Sequence, residues 1–337
     1  MKNNHPQISI ILLNFNGKKY LQKCLASIES QTFKNFEIII VDNGSTDNSK
    51  KEIWQKYSRE QIIDNPTNLG FAKANNAGAA LSRGEYLFFL NIDTHLDKNC
   101  LKLLYQKAVN HQGILTPCQM SYDGGQFISC GVGLDVFGYP YSLTRNFLDP
   151  KQVPFYADGA ALFIKKSIFN FLQGFDESTF LFQEDVDLSW KARLVGLPII
   201  RVPEAIVYHV SGGILEGGAA LGKKYITNHF RRYLGERNNI RNLFKNYTGL
   251  TLLWILPLYL LINLGEMLVF SLLLKPRAVW CYLKAWLWNI VYLPDTISKR
   301  REIQPKRRVS DREIQKSMLH SSAKLKMFLK VGVPKFR

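Results

Sequence analysis

Short apolar runs recur along the first half of the chain, several closing on Asp or Asn, and the stretches between them carry apolar residues at helical spacing. Ile8–Leu13 reads as a buried strand, and after Gly17 the residues Leu21, Cys24, Leu25 and Ile28 mark one face of a helix. Glu37–Asp42 is the next strand, and Ser45-Thr46-Asp47 then offers N-cap side chains to a helix running through Trp54 and Tyr57. Ile62-Ile63, a helix over Gly70–Leu81 and a strand over Tyr86–Asn91 repeat the alternation; a helix over 97–109 and the run Ile114–Pro117 close it. Such alternation predicts an α/β domain with a Rossmann-like, doubly wound, mostly parallel sheet and helices on both faces. Residues 118–157, rich in Gly, Tyr and Ser, lack a clean period and read as loops with short strands. Order returns with a strand at Leu162–Ile164, a turn at Gly174-Phe175-Asp176-Glu177, a helix from Asp187 to Leu194 and a short strand at Ala205–His209.

The second half changes character. Leu250–Leu274 is a 25-residue apolar run, interrupted by Pro257, Asn263 and Glu266, and long enough to cross a bilayer at about 1.5 Å per residue. Ala278–Pro294 is shorter and carries Lys284, Asn289 and several Trp and Tyr residues suited to a membrane interface. Crossing by the first run alone would put the basic tail outside, so the two segments are expected to cross together or to lie together in the cytoplasmic leaflet. In the tail, Ile314, Met318, Leu325 and Leu329 can share one face of an amphipathic helix. The expected organisation is one large α/β domain over 1–230, a basic linker helix over 231–249, apolar membrane-associated helices over 250–298 and a basic tail over 299–337.

The net charge of +17 admits nucleic acid or an anionic membrane as partner. Its distribution favours the membrane: residues 299–337 hold 13 Lys or Arg against three acids, and Arg231, Arg232, Arg237, Arg241 and Lys245 precede the longest apolar run. No nucleic-acid-binding motif accompanies them, so no nucleic acid is expected. Five scattered cysteines without a CxxC pair imply neither a zinc site nor a disulfide framework, and a reducing cytosol fits. Met1-Lys2-Asn3-Asn4-His5-Pro6 leads into a strand without an apolar signal region, so secretion is not expected. Neither a dinucleotide fingerprint nor a P-loop occurs, which argues against a dehydrogenase or an NTPase.

The polar ends of the apolar runs carry the chemistry, because an open sheet binds ligands at its carboxyl edge. Asp42, followed by Asn43-Gly44-Ser45, can accept a hydrogen bond from a nucleotide base, or can serve only a turn and a helix cap. Asp93, in Asn91-Ile92-Asp93, can hold Mg²⁺ or Mn²⁺ shared with substrate phosphates, or can cap the next helix. In Glu184-Asp185-Val186-Asp187, Asp185 can act as general base on an acceptor hydroxyl, kept ionised by the helix start, with Glu184 and Asp187 orienting neighbours. The alternative is that these acids only complement the helix dipole. His209, ahead of Ser211-Gly212-Gly213, is a candidate metal ligand beside Asp93, and an imidazole tilts such a site towards Mn²⁺. The helix start at Asn68-Leu69-Gly70, with Asn75 inside the helix, suits nucleotide or phosphate contact as well as capping.

Together these motifs resemble the inverting family-two glycosyltransferases of the GT-A fold, and within them the bacterial rhamnosyltransferase-like branch that builds surface polysaccharides. The resemblance spans about residues 8–245: Ser9-Ile10-Ile11-Leu12-Leu13-Asn14-Phe15-Asn16-Gly17, Gln31-Thr32-Phe33, Val41-Asp42-Asn43-Gly44-Ser45-Thr46-Asp47, Asn68-Leu69-Gly70-Phe71, Asn91-Ile92-Asp93, Gly174-Phe175-Asp176-Glu177 and Glu184-Asp185-Val186-Asp187. It implies that Asn14, Asn16 and Asp42 line the nucleotide pocket, that Asp93 and His209 bind a divalent cation bridging the diphosphate, and that Asp185 is the base. Asn43, Asn68, Gly70, Asn75 and Asn91 join the nucleotide-sugar site in this reading, and Asp158, Gly159 and Trp190 the acceptor site. Asn91 stands where the family often has Asp, and Ile92 where this branch often has Pro or Ser, which bears on the tightness of the metal. The implied reaction is metal-dependent, inverting transfer of a sugar, with rhamnose from a deoxythymidine diphosphate donor as the guess by branch. The acceptor would be a glycan or a lipid-linked sugar at the cytoplasmic face of the cell membrane. A non-catalytic, membrane-bound scaffold that binds a nucleotide sugar is the alternative. A nucleotidyltransferase would need a Gly- and basic-rich phosphate loop where Asn14-Phe15-Asn16-Gly17 stands.

Overall fold

The computed structural model describes residues 5–58, 61–143, 145–146, 152–210, 220–221 and 224–336. They fall into two compact units, one within Met1–Val132, Leu143–Ala192 and Leu197–Ile214, the other within Gly133–Ser142, Arg193–Gly196 and Leu215–Arg337. Ser211-Gly212-Gly213, singled out behind His209, lies outside the described residues.

The first unit is an α/β sandwich. Its elements are β1 (Ile8–Asn14), α1 (Lys18–Glu29), β2 (Phe36–Asn43), α2 (Ser49–Lys56), β3 (Ile62–Asn65), α3 (Phe71–Leu81), β4 (Tyr86–Asn91), β5 (Thr94–Leu96), α4 (Cys100–Asn110), β6 (Ile114–Ser121) and β7 (Phe127–Ser129). The pair β8 (Gly133–Leu134) and β9 (Pro140–Tyr141) belongs to the second unit. The first unit resumes with β10 (Ala161–Lys165), α5 (Lys166–Phe171), α6 (Glu184–Leu194) and β11 (Ile199–His209). The sheet runs β3-β2-β1-β4-β10-β6-β11-β5, with β7 beside β6. Strands β1, β2 and β4 are apolar on both faces because helices cover both, and Ile8, Ile10, Leu12, Ile40, Phe88 and Leu90 pack into one core with α1 and α4.

The parallel expectation holds for β3-β2-β1-β4 and for β6 with β11. It fails for β10, which is antiparallel to both β4 and β6, and for β5 against β11. A run such as Ala161-Leu162-Phe163-Ile164, buried throughout, carries no signal of its direction. The strand expected over Ala205–His209 begins at Ile199 instead, because a bulge between Val202 and Ile206 accommodates Pro203. The helix expected from Asp187 begins three residues earlier, which puts Glu184 and Asp185 in its first turn.

The cysteine reading needs correction. Gln119 of β6 pairs antiparallel with Ser129 of β7, which sets Cys118 opposite Cys130, and the two form a disulfide. The irregular sequence between them, a separation of 12, hid the hairpin register that brings them together.

The second unit is helical: α7 (His229–Asn246), α8 (Gly249–Leu272), α9 (Pro276–Val291), α10 (Leu293–Ile303), α11 (Asp311–Gln315) and α12 (Ala323–Val331). A small sheet joins β12 (Ala220–Leu221), β13 (Lys224–Thr227) and β14 (Lys335–Phe336). The basic cluster assigned to a membrane surface is largely internal: Arg237, Arg241 and Lys245 are buried. Arg241 pairs with Asp295 at 2.5 Å and donates to Thr296 Oγ1 at 2.6 Å. Helix α7, over the stretch expected as a basic linker helix, carries buried residues along its length. The tail does not form one amphipathic helix either. Ile314 and Met318 are buried while Leu325 and Leu329 are exposed on a separate helix, because residues between α11 and α12 leave the helical path. Among the described residues α8 alone is long and apolar enough to cross a membrane.

Candidate functional site

Parallel register lines up the polar strand ends at one edge of the first unit: Asn14 beside Asp42, Asp42 beside Asp64, Asn43 beside Asn65, and Leu13 beside Asn91. Asn14 is buried and its amide donates to Asp42 Oδ1 (2.6 Å), Ser49 Oγ (2.9 Å) and Ser45 Oγ (3.0 Å). Asp42 Oδ2 takes the backbone N–H of Ser45 at 3.1 Å. Asn16 is exposed at φ 51° and its side-chain oxygen accepts from Thr46 N at 2.7 Å. Beside these groups Ser45, Thr46, Asn48, Lys50, Lys51 and Trp54 line an open pocket.

Asn43 and Asn68 brace the edge from within. Asn43 Nδ2 donates to Asn68 Oδ1 (2.8 Å), and Asn43 Oδ1 accepts from Leu69 N (3.0 Å) and Asn65 Nδ2 (3.1 Å). The start of α3 is not open for phosphate, contrary to the sequence reading: Phe71 N donates to Phe180 O at 2.6 Å and Ala72 N to the same oxygen at 3.4 Å. Asn75 is buried behind them, its amide on Phe71 O at 3.0 Å. Gly70 sits at φ 85° and ψ 168°, a region reserved for glycine, and a Cβ there would lie 2.4 Å from Phe180 O. Gly70→Ala is expected to cost on the order of 1–3 kcal/mol, read as a lower melting temperature.

Antiparallel β10 brings its amino end to the same edge, and Asn91 N donates to Ala160 O at 3.0 Å. Asp158 and Gly159 therefore stand beside the end of β4. Gly159 N donates to Asp185 Oδ2 at 2.9 Å, and Asp185 Oδ1 accepts from Val186 N at 2.8 Å. Burial and the charge of Asp158 push the Asp185 carboxyl up to about 7, against the pull of these N–H groups. The helix start thus does not keep Asp185 a strong acid; desolvation wins. Burial and the neighbouring Asp185 charge hold Glu184 well above the usual carboxylate range. Asp187 is buried and pairs with Lys191 at 3.3 Å, whose ammonium donates to Gly174 O at 2.7 Å, tying the Gly174 turn to α6.

Asp93 closes the turn between β4 and β5. Thr94 pairs with His209 across β5 and β11, and Val210 N donates to Asp93 O at 3.2 Å. His209 Nε2 lies 3.4 Å from Asp93 Oδ1, and its Nδ1 is 3.0 Å from Gln119 Oε1. With Nδ1–H donating to Gln119, Nε2 turns its lone pair on the Asp93 carboxylate. That arrangement is repulsive unless a proton or a cation lies between. Burial lowers the His209 pKa, but the hydrogen bond to Asp93 and the charges of Asp93 and Asp158 outweigh it, leaving it raised. One carboxylate and one oriented imidazole fit a divalent cation whose other ligands come from substrate oxygens and water. Among the described residues no three His, Cys, Asp or Glu side chains converge as a metal cage.

Trp190 must leave the acceptor list. It has no exposed surface and packs edge-on against Phe155, with ring centroids 5.4 Å apart. Gln119 and Tyr156 were missed. Gln119 neighbours Val207 of β11 in register and so reaches His209 two residues on, a relation visible only once β6 and β11 are known to pair. Buried Tyr156 lies in the field of Asp185, Asp158 and Glu184, which burial and those charges turn into a phenol held well above its usual pKa.

Residues 9–170 match the family described as Glycosyl transferase family 2. Glycosyltransferase GlyG of Streptococcus pneumoniae is 35% identical over 104 residues, covering 30% of this chain and 35% of that protein, so the chain spans about a third of that relative. N-acetylglucosaminyl-diphospho-decaprenol L-rhamnosyltransferase of Mycobacterium tuberculosis is 24% identical over 231 residues, covering 60% of this chain and 75% of that protein. Among solved structures, GalNAc-T7 with UDP, GalNAc and Mn²⁺ superposes with a TM-score of 0.56 at 17% identity, over 72% of this chain and 48% of that one. The last likeness is one of fold, and the fold is GT-A.

Proposed function

We propose, from the membership of residues 9–170 in glycosyl transferase family 2, that this protein transfers a sugar from a nucleoside diphosphate donor to an acceptor hydroxyl with inversion. The observation that carries the reading is the meeting, at one sheet edge, of a carboxyl tuned to about 7 with an Asp–His pair oriented by Gln119. The acceptor is a lipid-linked sugar or glycan in cell-surface polysaccharide synthesis at the cytoplasmic face of the membrane. The name of the mycobacterial relative supports that acceptor class and a rhamnosyl donor.

Asn16, Ser45 and Thr46 form the polar rim against which the nucleotide rests, and Asn14 and Asp42 fix that rim from below. Asp93 and His209 would hold the divalent cation, which supplies Lewis-acid neutralisation of charge on the departing diphosphate. Asp185 takes the proton from the acceptor hydroxyl as its oxygen attacks the anomeric carbon, and the donor's bond to diphosphate breaks on the opposite side. Gly159 N–H aims the carboxylate. Single displacement requires no covalent nucleophile.

The test is acceptor-dependent release of nucleoside diphosphate from a panel of donor sugars, with polyprenyl-diphosphate-linked acceptors and with Mn²⁺, Mg²⁺ or chelator. Turnover for one donor, lost with chelator, is expected; acceptor-independent hydrolysis alone would sink the reading. In the same assay kcat/KM should climb as pH rises through about 7 and flatten above it, because Asp185 holds its proton below that value. A profile flat from pH 5 to 8 would remove Asp185 from the base role.

A further inference from the structure

Helix α8 presents two unlike halves. Thr251, Ile255, Tyr259, Asn263 and Phe270 recur at intervals of four and seven residues and are buried. On the opposite half, Leu253, Leu260, Leu261, Leu264, Leu268 and Leu272 are exposed, Leu268 by 62%. Helix α9 packs on α8 through Ala278 and Tyr282 against Phe270, and it exposes Trp280, Leu283, Leu287 and Ile290 at helical spacing, Ile290 by 70%. A contiguous leucine face of this size has no counterpart on an ordinary water-facing helix.

The buried half of α8 argues against a crossing. Asn263 and Glu266 lie in its middle, within a polar cluster supplied by α7 and α12: Lys324 Nζ is 2.5 Å from Glu266, 2.8 Å from Glu236 and 3.1 Å from Asn263, and Tyr259 OH donates to Glu236 at 2.8 Å. Carrying α8 through a bilayer would draw these charges and Arg232 to hydrocarbon depth. Helix α9, at 16 residues, is too short to return across it. Charge identifies the occupant of the exposed face. Residues 249–301 hold Lys275, Arg277, Lys284, Lys299, Arg300 and Arg301, whereas their acids, Glu266 and Asp295, are both paired internally with Lys324 and Arg241.

We infer that α8 and α9 lie in the plane of an anionic lipid leaflet, leucine and tryptophan side chains inserted and cations at the headgroups, without crossing it. The full chain serves for the test, by flotation with phosphatidylcholine vesicles with or without phosphatidylglycerol. Binding is expected with the anionic vesicles, reduced at least about tenfold by Arg277→Glu with Lys284→Glu and again by Leu261→Asp with Leu268→Asp, melting temperatures being checked alongside. Cysteines placed at Leu250 and at Leu272 should both react with an impermeant maleimide from the side of protein addition. Reaction at one end only until the vesicles are lysed would mean a spanning helix. Absence of flotation, or dimerisation that buries the leucine face and leaves vesicle binding nil, would equally overturn the inference. No donor sugar is present, so this outcome and that of the transferase assay are independent.

Discussion

Asp185→Asn should lower kcat by roughly 10²–10⁴ while leaving donor affinity, measured by calorimetry, near that of the natural chain. The carboxamide oxygen can still accept from Gly159 N, so the turn survives, but no group remains to take the acceptor proton. The fold should not suffer. Asp185 has its pKa raised by burial and by Asp158, so its ionisation works against folding, increasingly as pH climbs from about 4 towards 7. At pH 8 the amide variant should melt no lower than the natural chain. A variant with unchanged kcat would take the base away from this residue, and one that no longer bound donor would make Asp185 a binding group.

Glu236→Leu should cost about 3–5 kcal/mol. Its carboxylate is buried and accepts from Tyr139 and Tyr259 hydroxyls at 3.0 and 2.8 Å, from Lys324 at 2.8 Å and from Arg232 at 3.4 Å. Removing it leaves two cations to share Glu266 and takes an acceptor from the buried Tyr259 hydroxyl, while Tyr139 keeps Asn263 Oδ1 at 2.9 Å. Tryptophan fluorescence in urea reads this well, because Trp254, Trp280, Trp286 and Trp288 all lie in the second unit. An unchanged midpoint would mean that the cluster contributes nothing net.

The strands of the first unit were legible because each is an apolar run closed by Asn or Asp, and parallel register then puts Asn14, Asp42 and Asn91 at one edge without further information. His209 came to Asp93 by the same logic of strand ends. What stayed hidden depends on partners distant in sequence. The direction of β10 decides that Asp158 and Gly159 meet Asp185, and nothing in its four buried apolar residues encodes it. Gln119 needed the β6–β11 register, and Cys118 needed the hairpin to Cys130. Trp190 was assigned to the acceptor site, and its burial against Phe155 shows only in the packed fold. The basic residues of α7 misled most. Their charge invited a membrane, yet Arg241 is spent on Asp295, whereas Arg277 and Lys284 of α9 are exposed.

With Asp185 in the proposed base role, the transfer is a single displacement. Proton NMR of the glycosylated acceptor, formed from a donor of known anomeric configuration, reads this directly. The account predicts a product with the opposite anomeric configuration from the first turnover onward. A product that retains the donor's configuration would contradict it, since retention needs a second displacement or a covalent sugar intermediate that Asp185, as a base, does not form.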